Sequence, residues 1–141
     1  MSSATPADVL ARRSHLTLNG DVEGLADLFA PDAVWEWPFV GPVGTPARLE
    51  GREAILEHSR RVVASPLRVE EYEVTELYQT QDPEVVIAEL RGTATVTTTG
   101  RSLTATAIQV LRIRDGQIVL VRDFSDPRVG EEMLGEPRPG S

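Results

Sequence analysis

The chain has 141 residues, 14 basic and 22 acidic side chains and a formal net charge of -8; every basic residue is arginine, and there is neither lysine nor cysteine. The absence of cysteine excludes disulfides, thiolate metal sites and cysteine nucleophiles, and the acid excess disfavours nucleic acid and anionic membranes as partners. The length and a hydrophobic content of 40% fit one domain, residues 1–141, around one core.

In chain order, Thr5-Pro6-Ala7-Asp8 spells a helix start, with a threonine cap, proline in the first turn and a carboxylate returned to the cap. That helix is expected to end at Asn19-Gly20. Asp21 then caps a shorter helix with Val22, Leu25, Leu28 and Phe29 on one face, stopped by Pro31. From Val34 the period changes to two, placing Trp35, Trp37 and Phe39 on one strand face and Val34 and Glu36 on the other. Pro38 to Glu50, with three prolines and two glycines, reads as an irregular connection of the kind that borders binding sites. Gly51 to Ala64 is helical and is stopped by Ser65-Pro66. Four strands follow, Leu67–Tyr78, Glu84–Thr98, Arg101–Arg114 and Gln117–Phe124, and the turns Thr99-Gly100 and Asp115-Gly116 suit hairpins. Helices first and a hairpin-linked antiparallel meander after predict an α+β domain, three helices covering one face of the sheet. Residues from Gly130 to Ser141, rich in glycine, proline and charge, read as a loose tail.

Several enzyme classes are missing their signatures: there is no Gly-x-Ser-x-Gly elbow, no phosphate-cradling loop with lysine and no His-Glu-x-x-His. With His15 and His58 the only histidines, no metal site is expected. His58 shares the inward stripe of Ile55 and Val62, either as a histidine satisfied by a backbone carbonyl or as a group that binds ligand or moves a proton. Asp123, near the end of the last strand, falls on the face of Val119 and Val121. A carboxylate there is costly unless paired, so it is either a rim group beside an arginine or, facing a cavity, a general acid or base. Glu89 and Arg91 project from one strand face, as a solvent-facing ion pair or, if that face is the inner one, as groups that orient an anionic substrate. Gln109 could supply a neutral hydrogen bond in a pocket walled by Trp35, Trp37, Phe39, Tyr72 and Tyr78, although aromatics at strand spacing also serve simply as core.

The order of these elements resembles the nuclear transport factor 2-like superfamily, which implies a cone-shaped α+β barrel with a curved sheet around an open cavity. Leu18-Asn19-Gly20-Asp21, Leu28-Phe29-Ala30-Pro31-Asp32-Ala33-Val34, Leu49-Glu50-Gly51-Arg52-Glu53-Ala54-Ile55 and Arg114-Asp115-Gly116-Gln117-Ile118 are typical of its SnoaL-like members. Gly51-Arg52-Glu53 leading to Glu57-His58, Thr80-Gln81-Asp82-Pro83, and Arg122-Asp123-Phe124-Ser125-Asp126-Pro127 running on to Leu134-Gly135 are similar to the phenazine-biosynthesis A/B proteins. That likeness implies that His58 and Asp123 line the ligand pocket; a small polar residue of that family, one turn after the histidine, is replaced by Val62. Asp123 also resembles the Arg-Asp-Tyr aspartate of limonene epoxide hydrolase, with Arg91 and Glu89 as its neighbours and Trp35 and Trp37 where that enzyme holds water. Ketosteroid isomerase is less similar, its base falling on Trp37 and its oxyanion-hole acid on Gln109.

The expectation is therefore a small-molecule enzyme performing isomerisation, cyclisation or dehydration without a cofactor in an apolar pocket, with secondary metabolism as its setting. Asp123 moves the proton, His58 binds or polarises a carbonyl or carboxylate, Arg91, Glu89 and Gln109 assist, and the aromatics exclude water. Two alternatives are a non-catalytic binding protein for an apolar ligand and an epoxide hydrolase-like hydration. A cytoplasmic homodimer is expected, with no nucleic-acid or membrane partner, since the chain offers no basic-then-apolar leader and no long apolar run.

Overall fold

The computed structural model describes residues 4–134. Helix α1 (Pro6–Leu18) opens on the expected capping box: Asp8 N–H donates to Thr5 Oγ1 at 3.2 Å and Thr5 N–H to Asp8 Oδ2 at 3.1 Å. Its buried face is Val9, Leu10, Arg13 and Leu16. Asp21 caps the short α2 (Val22–Asp27) by accepting from Gly24 N–H at 2.9 Å. Strand β1 (Phe29–Trp37) and helix α3 (Arg52–Ala64) follow, separated by β2 (Ala47–Glu50). Then come β3 (Leu67–Gln79), β4 (Val85–Val96), β5 (Ser102–Arg114), β6 (Gln117–Ser125) and a short α4 (Arg128–Leu134).

The six strands form one sheet in the order β2-β1-β6-β5-β4-β3. Strands β3 to β6 make the antiparallel meander, and the last hairpin turns at Asp115 (φ 52°) and Gly116 (φ 76°), the left-handed pair that a two-residue connection requires. Three register shifts curve it: two in β3, between Val69 and Glu71 and between Val74 and Glu76, and one where Arg112 gives way to Ile113. Strand β1 then runs parallel to β6, so an early segment closes against the last strand. The core lies between α1, α3 and the concave face, around Leu10, Phe29, Ile55, Val86, Leu111 and Val121.

The structure corrects four details. The sheet is open, with β2 and β3 as its edges, so the cone is not a closed barrel. Strand β1 begins at Phe29, with Pro31 placed where the pairing to β6 shifts register and a missing N–H is tolerated. The connection expected to be irregular contains β2, whose pairing runs from Val34 opposite Glu50 to Trp37 opposite Ala47. Finally, Gly130 to Leu134 lies within a fourth helix instead of a loose tail, and residues 135–141 lie outside the described residues. No helix of the described residues is long and apolar enough to cross a membrane.

Candidate active site

Between the helices and the concave sheet lies a cavity of about 950 Å³. Asp123 sits on its wall, 8% exposed, because β6 places it directly opposite Gln109 of β5, which is 2% exposed. Gln109 Nε2 donates to Asp123 Oδ2 at 3.1 Å, and Ser125 Oγ, two residues along the same face, donates to Oδ1. Both carboxylate oxygens are thus held by uncharged donors, and no arginine of the described residues forms an ion pair with them.

His58 reaches the cavity from α3, half-buried, with its ring 5.5 Å from that of Trp37. Trp37 stacks on Trp35 at 5.7 Å to give one side of the cavity an aromatic wall, and the core residue Phe29 backs Trp35 at 5.9 Å. Burial lowers the His58 pKa from its ordinary 6.5, and the charge of Arg61 lowers it further, so the ring is neutral at physiological pH. Neither ring nitrogen has a hydrogen-bond partner among the described residues, which leaves both to a ligand.

Asp123, His58, Gln109, Trp35, Trp37 and Tyr72 all line this one cavity. Four other candidates do not. Arg91 and Glu89 point to the outer face of β4, where Arg91 pairs with Glu71 at 2.8 Å and Glu73 at 2.7 Å. Glu89 instead accepts from the hydroxyl of the exposed Tyr78 at 2.8 Å. The Glu89–Arg91 pair therefore does not form, nor does a hydrolase-like cluster of those two with Asp123. Phe39 follows Pro38, which ends β1, and is 62% exposed with its ring 5.5 Å from Phe124. His15 is exposed and bonds Asn19. Among the described residues no three histidine or carboxylate side chains converge as metal ligands.

Ser125, which holds Asp123, and a buried arginine of the cavity both escaped sequence reasoning. Arg13 is 1% exposed, and none of its guanidinium nitrogens meets an acceptor among the described residues. Its signal was helical spacing, since Val9, Arg13 and Leu16 fall on one stripe of α1.

Residues 11–121 match the SnoaL-like domain family. The chain belongs to that family. An uncharacterized PhzA/B-like protein of Pseudomonas aeruginosa is 41% identical over 128 residues, 91% of this chain and 89% of its own. A Bacillus subtilis structure, provisionally named an isomerase, superposes with a TM-score of 0.83 at 29% identity over 94% of each chain. A Xanthomonas campestris structure, provisionally named a polyketide cyclase, shares the fold with a TM-score of 0.71 at 19% identity, over 92% of this chain and 93% of that one. In this SnoaL-like chain the helices and the curved open sheet form the nuclear transport factor 2-like cone, and its cavity is lined by Asp123, His58, Gln109 and Arg13.

Proposed function

We propose that this SnoaL-like protein is a cofactor-free acid/base enzyme that isomerises, cyclises or dehydrates a small molecule in its cavity, with Asp123 moving the proton. The observation that carries this reading is a carboxylate in an apolar cavity, aligned by Gln109 and Ser125 and not neutralised by a cation. Two hydrogen bonds fix its oxygens against a ligand packed on Trp35 and Trp37. The carboxylate takes a proton from carbon, the electron pair moves onto an adjacent carbonyl oxygen, and neutral His58 donates a hydrogen bond there. Returning the proton to another atom gives an isomer; delivering it to a leaving hydroxyl expels water. The provisional isomerase and cyclase names of structural neighbours support the same class of chemistry.

Deuterium exchange from solvent into cyclic ketones and unsaturated acids, followed by NMR, tests this without knowledge of the final product. Wild type is expected to exchange the proton next to the carbonyl, and Asp123→Asn to do so about a hundredfold or more slowly. Equal exchange by both proteins sinks the role of Asp123. Ligands that bind wild type with no exchange at all favour the non-catalytic carrier.

A further inference from the structure

Arg52, Arg60, Arg61, Arg91, Arg112 and Arg114 all donate to carbonyl or carboxylate oxygens within the protein. Arg13 differs: it is buried, and its Nε, Nη1 and Nη2 have no acceptor among the described residues. A guanidinium does not escape this by losing its proton, as a lysine or histidine would. Left alone, its donors carry the full cost of their lost hydration. The face of Tyr72, with the guanidinium carbon 5.3 Å from the ring centroid, offsets part of that cost and holds the group in place. Two more polar atoms of the cavity's residues are unmet, the Trp35 Nε1–H donor and the Gln109 Oε1 acceptor.

We propose that Arg13 is the anchor for an anionic ligand, so that the cavity takes a ring-bearing carboxylate or similar oxyanion whose charged end sits on this guanidinium. The proposal rests on the reading of the cavity as a ligand site, but not on any reaction there. Arg13 sits against Tyr72 of β3, and β4 and β5 lie between that strand and β6, which carries Asp123. The oxyanion is therefore held away from the Asp123 carboxylate, which would repel it. The reactive carbon of such a ligand lies at the opposite end of its ring system, toward Asp123, His58 and Trp37. A net charge of -8 gives the protein no long-range attraction for anions. Preference for an oxyanion thus comes from contact inside the cavity, where Arg61 and Arg68 line the wall as exposed side chains and Arg13 is the buried guanidinium without an acceptor among the described residues.

Two fluorescent probes of similar shape test this, anilinonaphthalene sulfonate with its oxyanion and uncharged phenylnaphthylamine. Arg13→Met is expected to bind the sulfonate about tenfold or more weakly while holding the uncharged probe within about twofold of wild type. Unchanged sulfonate affinity in a folded Arg13→Met overturns the proposal. A competition on wild type alone decides the matter if that variant does not fold: naphthoate is expected to displace phenylnaphthylamine at about tenfold lower concentration than naphthamide. Equal displacement, as expected if water alone satisfies Arg13, overturns it. Proton exchange in Asp123→Asn reads the reaction and these affinities read the anchor, so either can fail without the other.

Discussion

His58 is the acid-sensitive group of the site. Its folded-state pKa lies below the ordinary 6.5 because burial, and then Arg61, disfavours the charged ring. Below pH 6.5 the unfolded chain therefore binds the proton more readily than the folded one, and stability falls with pH. The contribution of the neutral ring is complete above that value and is lost as the pH drops through the folded-state pKa. Thermal melts of wild type and His58→Gln should differ by a constant amount above pH 6.5. Wild type should then lose ground to the variant as the pH is lowered toward about 5; a pH-independent difference would mean that the imidazole is not shielded. Periodicity located His58, Asp123 and Gln109 because each interrupts an apolar stripe with a polar group. The same test applied to α1 finds Arg13, on the buried stripe between Val9 and Leu16. For Glu89 and Arg91 alternation had no answer, since β4 carries apolar residues on both faces: Val85 and Ile87 outside, Val86, Ala88 and Leu90 inside.

Helix α3, which carries His58, is fastened to β1 at its first turn. Gly51 N–H donates to Ala33 O at 2.7 Å from a backbone with φ 93°, and Arg52 grips the Phe29 carbonyl through Nε at 2.8 Å and Nη2 at 2.6 Å. Arg52→Met leaves that carbonyl without its charged donor and is expected to cost about 1.5–3 kcal/mol, measured by urea denaturation. A loss within error of zero would show that water replaces the clamp. Most elements were legible because each has a local cause: Thr5 and Asp21 as caps, Asp115-Gly116 as a hairpin turn, Ser65-Pro66 as a helix stop. What escaped depends on partners. Strand β2 is four residues long and exists by pairing with β1. The bulges in β3 went unread, although they break the rhythm of Leu67, Val69, Tyr72, Val74 and Leu77; their effect, bending the sheet around the cavity, is a property of the whole strand pair.

At the scale of the molecule, about 950 Å³ of space inside a domain this small is far more than the few water-sized voids of a close-packed interior. Ligand binding should therefore stabilise the fold through mass action. At a hundred times its dissociation constant, a ring-bearing carboxylate is expected to contribute about 2.7 kcal/mol, on the order of 10 °C in melting temperature. A saturating ligand that leaves the melt unmoved would show that it binds folded and unfolded chains alike, not the cavity. The outer face of the sheet contributes little by comparison, since exposed pairs such as Arg91 with Glu71 and Glu73 are weak and screened.

The sheet order gives β6 a position that no other strand shares: it lies between β1 and β5 and joins the early half of the molecule to the meander. During synthesis on the ribosome, the two tryptophans and the histidine emerge well before the aspartate that faces the same space. Until Gln117–Ser125 has left the tunnel, β1 and β5 each present an unpaired edge, and no pocket exists for a ligand to enter. The ligand proposed for this cavity can thus be bound only by chains that already carry β6.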